Sequence, residues 1–186
     1  YTRVRYFGRF YYPLIWGMVF RWNTEAGLIW SRVPKGVPLY ERFFLGGILS
    51  VRGFPYNDLG PIGGGISNTI DPGAAQTRLR IGGNIMLRTN VEVEIPIVAA
   101  VGIKGVVFFD AGNVWNTEKT YCQLPPYYPG DDTHSTCGFN QLRYSAGFGL
   151  RWQSPMGPLR FEWGIPLNRR PGDQKIRFDF TIGQFF

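Results

Sequence analysis

Apolar and polar residues alternate with a period of two along most of the chain, the pattern of β-strands with one apolar face and one polar face. Residues 81–97 show it most clearly. Odd positions read Ile81, Gly83, Ile85, Leu87, Thr89, Val91, Val93, Ile95 and Ile97, against Gly82, Asn84, Met86, Arg88, Asn90, Glu92, Glu94 and Pro96. Residues 142–153 repeat it, with Tyr144, Ala146, Phe148, Leu150 and Trp152 opposite Arg143, Ser145, Gly147, Gly149 and Arg151. Further runs at 2–12, 16–22, 101–111, 159–167 and 175–186 bring the predicted total to seven strands. The last of them sets Ile176, Phe178, Phe180, Ile182 and Phe186 against Lys175, Arg177, Asp179 and Thr181, with Gly183 near its end.

Either face could be the buried one. A soluble sandwich packs two apolar faces together, whereas a membrane barrel turns the apolar face to lipid and the polar face to its lumen. Several runs alternate strictly for about ten residues, the length that crosses a tilted bilayer and more than a typical soluble strand needs. Aromatic residues (Tyr11, Tyr12, Trp16, Trp22, Trp115, Trp152) cluster near the predicted strand ends, as an interfacial girdle requires. The expected fold is therefore all-β, a transmembrane antiparallel β-barrel. Short turns are expected near Pro13, at 97–101 and at 154–158, with long connections at 31–79 and 116–140. A connection as long as 31–79 within a barrel is more often functional than idle.

Composition adds two exclusions. The most apolar stretch, residues 95–112, is interrupted by Pro96, Lys104 and glycines, so no run provides a membrane helix. The net charge of +7 comes from basic residues spread singly along strands, which reads as a solvated lumen face and gives no support to a nucleic-acid partner. No secretory signal precedes Tyr1, which already lies in a strand pattern, so upstream strands are expected to be missing. Cys122 and Cys137 bracket a polar segment with Asp131, Asp132 and the sole histidine, His134. In an oxidising compartment a disulfide is expected; the alternative, a metal held by both cysteines, His134 and an Asp, lacks the short paired spacings of zinc sites.

The long connection contains Val51, Arg52, Gly53 and Phe54 in succession, preceded by Phe43-Phe44-Leu45-Gly46-Gly47. Downstream stand Gly82-Gly83-Asn84, Phe108-Phe109-Asp110-Ala111-Gly112, Ser145-Ala146-Gly147, Ser154-Pro155-Met156-Gly157-Pro158-Leu159-Arg160-Phe161 and a terminal Gly183-Gln184-Phe185-Phe186. In these motifs, in this order, the sequence resembles the BamA family of outer-membrane barrel-assembly proteins, within a wider superfamily of assembly and translocation barrels. The cysteine pair departs from the family's best-known pattern, lying in 116–140 and not in the long loop.

The resemblance implies that residues 1–186 are the last seven strands of a sixteen-stranded barrel in the Gram-negative outer membrane. It implies that 31–79 folds into the lumen, that 116–140 is extracellular, and that Arg52 meets Glu92 and Asp110 on the inner wall. The forked guanidinium can bridge two carboxylates as Lys cannot; a wet lumen is expected to keep each contact modest. The last strand (Ile176, Phe178, Phe180, Gly183, Phe186) would form a lateral seam that admits client strands by β-augmentation. Unfolded outer-membrane proteins would be the clients, with outer-membrane lipid, upstream periplasmic (POTRA-type) domains and accessory lipoproteins as further partners. Neither cofactor nor metal is implied. A secreting barrel of the same superfamily and a passive porin are the alternatives; the arginine loop weighs against the porin. An enzyme is not expected, since His134 has no evident catalytic partner and the arginines hold the carboxylates ionised.

Overall fold

Strands with one lipid-facing and one inward side need only their neighbours' backbone groups to satisfy their own, and the fold follows that rule. A computed structural model describes residues 1–32, 36–64, 78–118, 142–170 and 172–183. Seven strands, β1 (Thr2–Pro13), β2 (Val19–Trp30), β5 (Ile85–Val98), β6 (Ile103–Trp115), β7 (Arg143–Ser154), β8 (Gly157–Pro166) and β9 (Arg177–Ile182), form one antiparallel sheet in that order. Two short strands, β3 (Ile62–Gly64) and β4 (Arg78–Arg80), pair with each other inside the long connection. No helix among the described residues is long and apolar enough to cross a membrane.

Burial is inverted relative to a soluble protein. Val107, Phe109, Phe148, Phe178 and Phe180 project outward and are exposed, while Glu92, Glu94, Asp110, Arg143 and Glu162 are buried. A strand of twelve residues, such as β1 or β2, is roughly 40 Å long, which on a tilt of about 45° covers the ~25 Å apolar band of a membrane barrel. The outward face also stacks across strands. Phe148, Trp163 and Phe178 are register partners on β7, β8 and β9, with ring centroids 5.4 and 5.0 Å apart, and Phe161 meets Phe180 at 4.9 Å.

Turns of a few residues join β1 to β2, β5 to β6 and β7 to β8 at one end; the long connections share the other. Residues 36–61 fold back onto the inner face. There Val37, Phe43, Leu45, Val51, Phe54 and Leu59 build an apolar cluster with Ile29, Met86 and Val114 of the wall. Wall glycines make room for it: a side chain at Gly27 would strike the Phe43 ring, and one at Gly112 would lie 2.9 Å from Val51.

Several strand bounds differ from expectation. Trp16 lies not in a strand but in the β1–β2 turn, 84% exposed and with φ of +56°, and β2 runs on to Trp30. Residues 81–84 meet the inward loop instead of opening β5; Phe43 and Gly83 exchange backbone hydrogen bonds. Trp115 is buried and Tyr11 faces the lumen, so neither belongs to an outer girdle. The final strand begins at Arg177, leaving Lys175 and Ile176 outside it. Cys122, Cys137, His134 and Phe186 lie outside the described residues.

Candidate functional site: a buried arginine on the inner wall

Register decides which inward side chains share a site. Arg21, Glu92, Phe108, Gly147 and Gly164 are successive cross-strand partners from β2 to β8, and Asn90, Asp110 and Ser145 form the next row. The Val51–Phe54 segment lies against these two rows. Arg52 donates from Nε and Nη2 to the two oxygens of Asp110, both at 2.7 Å, and from its backbone N–H to Asp110 Oδ2 at 3.0 Å. Its Nη1 reaches Glu92 Oε2 at 3.0 Å and Glu162 Oε2 at 3.4 Å. The guanidinium lies 3.6 Å over the Phe108 ring, a cation–π contact, and the Ser145 hydroxyl donates to the Arg52 carbonyl at 2.6 Å.

The backbone here has little freedom. Gly53 has φ of +85°, where a side chain is strained, and it packs on the backbone of Gly164; a Cβ on Gly164 would collide with Gly53. Gly147 likewise leaves the space that the Phe108 ring fills. Phe54 is buried, with the Arg143 guanidinium 4.7 Å above its ring, and Arg143 pairs with Asp173 of the β8–β9 connection. Asn90 donates to the Ser50 carbonyl at 2.6 Å, and Arg88 to that of Leu49 at 2.7 Å.

The motif and both expected wall partners therefore meet, but not in a wet lumen. Asp110 is fully buried and Arg52 nearly so. Burial opposes the charge on Arg52; Asp110 first, then Glu162 and Glu92, outweigh it and hold its pKa above the ordinary value. In such surroundings, removing one partner costs about 3–5 kcal/mol, because the other is left charged and desolvated.

Sequence reasoning did not single out Glu162 or Arg151. Arg151 donates to Glu92 at 2.8 and 2.9 Å, to Glu94 at 2.6 Å and to Glu162 at 3.0 Å, and Arg160 pairs with Glu162 at 2.8 Å. Alternation already placed these side chains inward; only the register brings them to one spot. Glu25 is a second inner node, joining Arg5 of β1 and, at 2.6 Å, Arg88 of β5. Beside these groups an open trough of about 940 Å³ runs toward the short-turn end, lined by Arg5, Arg9, Arg21, Lys104, Arg151 and Arg160 among others.

The proposed seam residues lie elsewhere. β9 has six residues and, among the described residues, pairs with β8 only, from Leu159↔Ile182 to Gly164↔Arg177. Phe178 and Phe180 point outward, Ile176 precedes the strand, and Gly183 (φ +108°) turns the chain while its N–H donates to the Pro158 carbonyl at 2.9 Å.

Comparison with known proteins agrees with this architecture. The family model for the Omp85 superfamily domain matches residues 1–186. The outer membrane protein assembly factor BamA of Neisseria meningitidis serogroup B is 34% identical over 164 residues, covering 82% of this chain and 19% of that protein. The BamA of Nitratidesulfovibrio vulgaris is 34% identical over 178 residues, covering 95% of this chain and 19% of that protein. The chain thus spans about a fifth of the length of these relatives. The crystal structure of BamA from Haemophilus ducreyi lacking POTRA domains 1–3 superposes with a TM-score of 0.74 at 31% identity, covering 96% of this chain and 34% of that one. An inverted seven-stranded wall, an inward arginine loop and a match along the whole chain have one common explanation: this is an outer-membrane β-barrel protein and belongs to the Omp85 superfamily.

Proposed function

We propose that this chain is the C-terminal, seven-stranded part of a sixteen-stranded barrel that folds and inserts other β-barrel proteins into the outer membrane. Its work needs no covalent chemistry and no cofactor. Clients are unfolded outer-membrane proteins, and the driving force is burial of their lipid-facing side chains together with closure of their strand hydrogen bonds. β9 offers client strands an edge for β-augmentation, because it is short and turned by Gly183 at its end. Upstream periplasmic domains and accessory lipoproteins deliver the client.

The observation that carries this reading is the inward loop. Residues 51–54 are clamped to β5, β6 and β8 by a buried arginine, a costly arrangement that a passive pore has no use for. In an assembly barrel the same contact closes the lumen and braces the wall next to a seam that must yield. Relatives over nearly the full chain are named as outer membrane protein assembly factors, which supports the same role.

The test is to place a photoreactive phenylalanine analogue at position 180 on β9, or a photoreactive residue at position 104 on the inner face of β6, in the full-length parent protein, and to stall a client during insertion. Adducts from position 180 support assembly through the seam. Adducts from position 104 alone would favour the secreting-barrel reading instead.

A further inference from the structure

One layer below Arg52, the wall carries a second arginine that no part of the loop motif includes. Arg151 of β7 projects between β5 and β8. Nη1 lies 2.9 Å from Glu92 Oε1 and Nη2 lies 2.8 Å from Glu92 Oε2, while Nη2 also lies 3.0 Å from Glu162 Oε1. It therefore grips, from beneath, the same two carboxylates that Arg52 Nη1 touches from above. Gly149, two residues before Arg151, leaves the space into which Glu162 leans; a Cβ there would sit 2.8 Å from Glu162 Cγ.

The three carboxylates around Arg52 differ in what they would retain without it. Glu92 has Arg151 and, at 3.4 Å, Arg21. Glu162 has Arg151 and, at 2.8 Å, Arg160. Asp110 has, among the described residues, no cation but Arg52.

We propose that Arg151 is a positioning residue for the Arg52 contact: it holds Glu92 and Glu162 in place for Arg52, and together with Arg21 and Arg160 it leaves Asp110 as the one carboxylate stranded when Arg52 withdraws. Arg151 thereby divides the network into a permanent wall layer and one exchangeable pair. Held in this way, Glu92 and Glu162 meet Arg52 without rearranging, so the Arg52 contact is tighter with Arg151 than without it, and only Asp110 bears the cost of a buried carboxylate whose cation leaves. The inference rests on reading residues 31–79 as a loop that can release.

The test is backbone hydrogen exchange of the peptide covering residues 48–56 in the full-length parent protein in nanodiscs, since the Arg52 N–H itself donates to Asp110. Arg151→Gln is expected to speed exchange about tenfold in the wild-type background and to change nothing further in an Arg52→Ala background, the signature of coupled residues. Arg151→Lys, which keeps the charge but cannot span two carboxylates, is expected to give an intermediate rate and serves in the same cycle if Arg151→Gln does not fold. Equal acceleration in both backgrounds, as a merely structural role would give, or none in either, overturns the proposal. Client folding measured on the same preparations separates the two claims. A wild type that folds no client sinks the assembly reading and leaves the exchange cycle to be judged on its own.

Discussion

At the residue scale, the site depends on the fork of one guanidinium. Arg52 uses two nitrogens and its own backbone N–H on Asp110 and its remaining nitrogen on Glu92 and Glu162. Arg52→Lys keeps the charge and loses that geometry, so the loop is expected to become sensitive to added protease while the strands stay protected, with Arg52→Ala more sensitive still. Gly164→Ala adds only a methyl group, yet it strikes the Gly53 backbone. It is expected to release the loop as fully as Arg52→Ala, at little cost to the apparent melting temperature of the barrel; cleavage of the intact wild-type loop and the Gly164→Ala loop at equal rates would contradict this. Arg52, Glu92 and Asp110 could be named from the sequence because the resemblance in motifs marked all three and alternation independently put the two carboxylates on the inner face. Glu162 and Arg151 had the second signal only. Four strands must be set in register before Glu162 stands beside Glu92, and alternation says nothing about register.

At the element scale, the seven wall strands were legible because each alternates, whereas the short β3–β4 pair inside the long connection was not. Nor were the strand ends. β2 continues through Asn23, Thr24 and Glu25, where polar side chains on both faces hide the alternation, and Glu25 is inward because Arg5 and Arg88 pair with it there. Residues 81–84 alternate like a strand but pair with the inward loop, a contact that no local pattern announces. β9 is held to β8 by six residue pairs and by the outward stack of Trp163 on Phe178 and Phe161 on Phe180. Removing one such aromatic contact costs about 0.5–1.5 kcal/mol beyond lost area. Trp163→Ala is therefore expected to speed hydrogen exchange in residues 177–182 several-fold and to leave β5 and β6 unchanged; uniform acceleration over the sheet would show that β9 is no separate unit.

At the scale of the whole molecule, charge is inside and apolar surface is outside, an arrangement that only lipid can stabilise. The wall should accordingly tolerate charge on one face and not on the other. Val107→Lys, outward and near the middle of β6, is expected to oppose membrane insertion by about 2–4 kcal/mol, read as a lower folded fraction in liposomes. Insertion of that variant at the wild-type level would contradict a lipid-facing β6. The inversion was readable from alternation and strand length together. The dryness of the inner site was not, because it depends on the loop covering the wall. The most direct test of the assembly role uses the full-length parent protein in liposomes, timing the folding of an unfolded client barrel with wild type, with Arg52→Ala and with empty liposomes. The expected result is faster folding with wild type and a weaker effect with Arg52→Ala, while both proteins remain folded. A well-folded wild type that speeds no client and conducts ions freely would contradict it.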